Sequence, residues 1–163
     1  MRLHTLVLVL LLGGCSACAP TRSIHLGTGY SDPPIIGIPI DTATHLAAAT
    51  ICDNHNRPII VVSTTASEAN LYYVIEHEKA HVKQIERMEG GCRKFLTRYQ
   101  SDKEFRYTME LEAYCVGYQV NMDLRGLNFE SNYPQFVMWL NNIFPDREFQ
   151  EIWDDLPCKG GSP

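Results

Sequence analysis

Between Thr65 and the Gly90-Gly91 pair runs a stretch of about 24 residues with a helical hydrophobic period and a carboxylate in the middle of its apolar side. No other feature of the chain restricts the fold so strongly. Thr65 and Glu68 have the spacing of a capping box, and the two glycines supply a stop, so both ends of the helix are marked. At 100° per residue, Leu71, Val74, Ile75, Val82 and Ile85 gather on an arc of roughly 80°, the predicted core face. Glu78 falls inside that arc. A buried carboxylate must be paired, bound to a metal or shifted in pKa, so the helix is expected to bring a working polar group into the interior. His77 and His81 lie together at the edge of the arc, beside Tyr73 and Met88.

These residues read His77-Glu78-Lys79-Ala80-His81. On a helix the two histidines stand one turn apart and can share a metal ion, and the glutamate between them is placed to take a proton from an attacking water. A catalytic zinc takes three protein ligands and leaves a position for water. A third histidine six residues after His81 is excluded, because Arg87 stands there. The other common source is a glutamate on a following helix, and Met109 to Gly117 supplies two, Glu110 and Glu112. The apolar arc of Phe105, Met109, Ala113, Val116, Val120 and Leu124 is flanked by Glu110 on one side and Glu112 on the other, so periodicity leaves both open.

Two segments resemble a known family. His77 to Gln84 matches HExxHxxQ, and Glu110-Leu111-Glu112-Ala113-Tyr114-Cys115-Val116-Gly117 is similar to the E-L-x-A-D-C-x-A-G helix of bacterial neutral zinc metallopeptidases. Small gluzincin-like proteins carry the same pairing of HExxH with a later ExxA. The resemblance spans Val74 to Gln119 and implies one Zn2+ held by His77, His81 and Glu110, with Glu78 as general base; because periodicity does not separate the two glutamates, Glu112 stays the reserve ligand. Tyr114 departs from the pattern, since the family usually has there an aspartate that buttresses a ligand histidine.

The beginning of the chain points to the cell envelope. Arg2 followed by the apolar Leu3 to Leu12 reads as a secretory signal, too short for a permanent span. Leu12-Gly13-Gly14-Cys15 resembles the bacterial lipobox, which implies lipidation of Cys15. The alternative cleavage after Ala17-Cys18-Ala19 is disfavoured by Pro20. Ser16 after the cysteine favours an outer-membrane lipoprotein facing the periplasm, by resemblance to bacterial sorting rules. The expected division is a signal peptide at 1–14, a lipidated tether at 15–34 and a zincin-like domain at 35–163. The expected partners are a peptide or protein substrate and, through the lipid, a membrane. A net charge of −5 without any basic stripe opposes nucleic-acid binding. Cys52, Cys92, Cys115 and Cys158 make an even set for an oxidising compartment, with three pairings open. At least one disulfide is expected, with Cys92 the first choice, and the alternative for Cys115 is a buried thiol.

Coarse patterning predicts strands at Ile35 to Ile40 and Pro58 to Thr64, and helices at Asp41 to Ile51, Cys92 to Gln100, Ser101-Asp102 to about Arg125, Tyr133 to Phe144 and Arg147 to Leu156. The fold class is α+β, a small N-terminal sheet followed by a mainly helical core with a metal helix and a glutamate helix. His45 and His55 are minor ligand candidates, and His25 falls in the tether. Tyr72, Tyr107, Tyr114 and Tyr118 are candidate oxyanion donors, with core packing as their default role. Trp139 and Trp153 read as packing residues. Three functions follow from this reading: a zinc peptidase, a degenerate metallopeptidase-like binding module, and a zinc-binding envelope lipoprotein without hydrolysis.

Overall fold

The computed structural model describes residues 33–38, 47–64 and 68–159. The expected signal peptide, Cys15, nearly all of the expected tether, the expected cap at Thr65, His25 and His45 lie outside the described residues.

Three strands come first, β1 (Ile35–Ile38), β2 (Ala48–Cys52) and β3 (Pro58–Ser63), in the order β1-β3-β2. β3 is central, parallel to β1 from Ile35↔Ile60 and antiparallel to β2 from Ala48↔Val62 to Cys52↔Pro58. β2 corrects the expectation of a helix up to Ile51. An alanine run favours helix locally, but the Asp53 carboxylate accepts from the backbone N–H groups of His55 and Arg57 and closes a turn that pairs this segment with β3. Strand pairing then overrides propensity.

Five helices follow: α1 (Glu68–Arg87), α2 (Gly91–Ser101), α3 (Lys103–Leu124), α4 (Phe129–Ile143) and α5 (Phe149–Asp155). No described helix is long and apolar enough to cross a membrane. α4 starts earlier than expected because Asn128 caps it, accepting from the Ser131 N–H.

α1 lies on the sheet with the predicted face inward. Ile75 and Val82 are buried against Ala48, Ile60 and Val62, with Leu71 and Val74 at the margin. Side chains on a strand alternate between faces, so Ala48, Thr50 and Cys52 of β2 share one face. Thr50 meets Glu78 of α1, and Cys52 meets Cys92 of α2. α3 covers the other side of α1, running antiparallel to it. A methyl group at Gly117 would stand 3.0 Å from the Tyr73 carbonyl oxygen and ring, so this glycine sets how closely the two helices approach. A larger core joins α3 to α4 and α5, with Leu111, Phe136, Val137, Leu140 and Ile152 buried. Two disulfides, Cys52–Cys92 and Cys115–Cys158, use all four cysteines considered above, so Cys115 is bonded and not a free thiol.

Candidate metal centre

His77 and His81 project from α1 towards α3, where Glu110 faces both. His77 Nε2 lies 3.4 Å from Glu110 Oε2 and His81 Nε2 lies 3.5 Å from Glu110 Oε1. One ligand atom from each of the three residues falls within 4.8 Å of the others. Tetrahedral zinc with bonds of about 2.0–2.2 Å sets neighbouring donors about 3.3–3.6 Å apart, and each imidazole has one Glu110 oxygen at that separation, Oε2 for His77 and Oε1 for His81. These separations are long for hydrogen bonds. Two imidazoles and a carboxylate are donors of the type zinc takes, so the residues fit a metal ion.

The electrostatics agree with a site built for positive charge. Burial alone would push the Glu110 carboxyl up, but the facing imidazoles outweigh it and hold it at about 2. Burial would likewise push His81 down, yet Glu110, Glu78 and Gln84 together raise it to about 9. The Glu110 charge thus favours positive charge at His81. An ion would supply that positive charge.

Gln84 decides which His81 nitrogen carries the proton. Its amide nitrogen donates to the Met109 carbonyl at 2.9 Å and to Glu112 at 3.1 Å, which turns its oxygen towards His81 Nδ1 at 2.8 Å. Nδ1 must then donate, leaving the Nε2 lone pair facing Glu110 in the neutral ring. Sequence matching included Gln84 in the motif without assigning it this work.

His77 has no such support. Its Nδ1 is buried without a hydrogen-bond partner among the described residues. Tyr114, in the position where the resembling family carries an aspartate, lays its ring against the imidazole at 4.4 Å between centroids. What stands against His77 at this position is ring packing. Trp139 continues the aromatic wall, edge-on to Tyr114 at 5.1 Å, and its ring is 40% exposed.

Glu78 is buried, as the helical period predicts. Its compensation comes from a residue the sequence reading missed: Thr50 Oγ1 donates to Glu78 Oε2 at 2.7 Å. A strand assignment for 48–52 would have placed Thr50 on the face towards α1. Tyr99 of α2 was missed too, and it donates its hydroxyl to Glu110 Oε1. The only available signal was the spacing of Cys92, Phe95 and Tyr99 on one helix face.

The choice between the two glutamates follows from the packing of α1 on α3. Glu110 is buried with the histidines, whereas Glu112 pairs with Arg87 at the end of α1 and takes no part in the cluster. His55 lies exposed in the β2–β3 turn, outside the ligand cluster. Of the four tyrosines named as oxyanion donors, Tyr114 alone is seen against a ligand histidine. Tyr72 is exposed, Tyr107 lies in the α3–α5 core, and Tyr118 stacks on Phe136 at 4.1 Å. Trp153 packs on Tyr133 and Phe149 as expected. Comparison of the chain with models of known families, with curated proteins and with solved structures finds no match.

Proposed function

We propose that this chain is a zinc-dependent peptidase of gluzincin-like type, anchored by lipid at Cys15 to the outer membrane of a bacterial envelope and facing the periplasm. The observation that carries the reading is the convergence of His77, His81 and Glu110 at ligand spacing with Glu78 beside them on α1. A metal ion here would polarise the scissile carbonyl and acidify the attacking water. Glu78 accepts that water's proton and passes it to the leaving amine. Thr50 donates to Glu78 Oε2, which leaves Oε1 the less encumbered oxygen for that proton. Gln84 keeps His81 in the ligand tautomer. Three donors come from the described residues, and a three-donor set suits a hydrolytic site, which keeps a position open for water.

A second reading draws on a separate observation. Both histidines and both carboxylates of the cluster are less than 9% exposed, and His77 lacks its buttress. These features favour a metal-binding envelope lipoprotein that does not hydrolyse peptides, or a degenerate binding module. The separating experiment measures zinc content and casein or peptide cleavage of the domain, wild type against Glu78→Gln. The peptidase reading expects near-stoichiometric zinc in both and loss of cleavage in the variant beyond the 10²–10⁴ usual for a general base, because Glu78 also positions the water. Zinc without cleavage in the wild type selects the second reading. Unchanged processing and membrane association in Cys15→Ala would sink the lipid anchor.

A further inference from the structure

We propose that Tyr99 is a positioning residue of the metal centre: by donating to Glu110 Oε1 it leaves Oε2 as the oxygen for the ion and holds Glu110 to a single coordination position. The inference rests on the metal-site reading above and is independent of whether the site hydrolyses peptides.

Tyr99 reaches Glu110 through three restraints on α2. At its start, Cys92 is bonded to Cys52, and Asn56 of the β2–β3 turn accepts from the Arg93 N–H at 2.7 Å, a cap supplied by a distant residue where Gly90 has no side chain to give one. At its end, Asp102 alone connects α2 to α3, and its carboxylate caps α3 by accepting from the Phe105 N–H at 3.0 Å. Between them the Tyr99 ring is held on one side by Phe95, stacked at 5.9 Å, and on the other by His81, edge-on at 5.8 Å. A ring fixed on two sides has one place to put its hydroxyl. Burial alone does not force the pairing, since the buried hydroxyls of Tyr73 and Tyr133 have no partner among the described residues.

The chemical consequence comes from the division of the carboxylate. Each oxygen faces one imidazole, Oε2 at 3.4 Å from His77 Nε2 and Oε1 at 3.5 Å from His81 Nε2, but among the described residues only Oε1 takes a hydroxyl donor, which draws charge from that oxygen and fills a lone-pair direction. Oε2 is therefore the stronger ligand. Without Tyr99, both oxygens are free to turn to the ion, and the carboxylate takes two positions, including the one that water or a substrate would use. Tyr99 thus keeps the site open.

The test loads the domain with Co2+, whose visible absorption is strong in four-coordinate and weak in five-coordinate sites, and measures affinity by competition with a chelating dye. Tyr99→Phe keeps the ring and removes the donor. Its affinity is expected to fall about 10- to 100-fold, as for other residues that orient a ligand, and its absorption to drop several-fold. Tyr133→Phe removes a buried hydroxyl that has no partner among the described residues and lies in the α3–α5 core, and is expected to keep the wild-type spectrum. An unchanged spectrum in Tyr99→Phe, whatever its affinity, overturns the proposal, as does an equal drop in Tyr133→Phe. A wild-type domain that takes up neither cobalt nor zinc refutes the metal reading itself, a result distinct from either.

Discussion

The α1 side of the centre and the α2–α3 side are built in different ways. His77, Glu78 and His81 stand within one turn of a single helix, and their relation to one another is set by 3.6 residues per turn. Glu110 and Tyr99 come from two other helices, and they reach the histidines only through an interhelical distance, a one-residue corner and a disulfide. The first half survives as long as α1 is helical. The second depends on packing, and changes remote from the cluster can displace it.

Removing donors should have the largest effect and treat both halves alike. His77→Ala, His81→Ala and Glu110→Ala each leave two ligands, and each should lose stoichiometric zinc by metal analysis after gel filtration. Glu112→Ala should retain it, since its partners are Arg87 and Gln84. Zinc lost in Glu112→Ala but kept in Glu110→Ala would reverse the ligand assignment.

The two disulfides should separate the halves. Each closes a loop of similar length, with sequence separations of 40 and 43, so each is expected to add about 2–4 kcal/mol to stability. Replacing either pair by serines should lower the melting midpoint comparably. Only the Cys52/Cys92 pair holds α2, so only its loss should also weaken zinc binding at a temperature where both variants are folded. Equal zinc affinity in the two variants would show that the α2 anchor does not matter to the site. Thiol titration of the denatured, unreduced protein should find none of these four cysteines free.

Gly117→Ala is a smaller disturbance aimed at the α1–α3 distance. The added methyl meets the Tyr73 backbone and ring, and overpacking of this kind costs about 1–3 kcal/mol. Denaturant melts should show that loss, accompanied by weaker zinc binding, because Gly117 stands two turns beyond Glu110 on the same helix. Zinc binding that is unaffected while stability falls would mean that the packed half is more tolerant than its construction suggests.

The smallest effect is expected from within α1. Gln84→Leu removes the acceptor that places the His81 proton on Nδ1, and about a 10-fold weaker zinc affinity is expected with little change in the melting midpoint. If the loss matches that of Tyr99→Phe, the two halves are equally sensitive to their outer supports, and the contrast between them disappears.

Where a relation is carried by nearest neighbours along the chain, the amino-acid sequence determined it. The inward face of α1, the burial of Glu78, the pairing of His77 with His81 and the cap of Asp102 on α3 all follow from periodicity and local hydrogen bonding. So does the α+β order of a small sheet before helices. Tertiary structure decided the rest. Glu110 and Glu112 flank the same apolar arc at similar angles, and only the seating of α3 on α1 separates a ligand from the partner of Arg87. β2 could not be read from Ala47 to Ala49, because a strand draws its stability from a partner strand and these alanines favour helix in isolation. That error also hid Thr50, whose role exists only once alternation along β2 turns it towards Glu78. Tyr99 was hidden for the same reason: a hydrogen bond between two buried side chains on different helices has no period in the sequence, and it forms only when packing removes water from both.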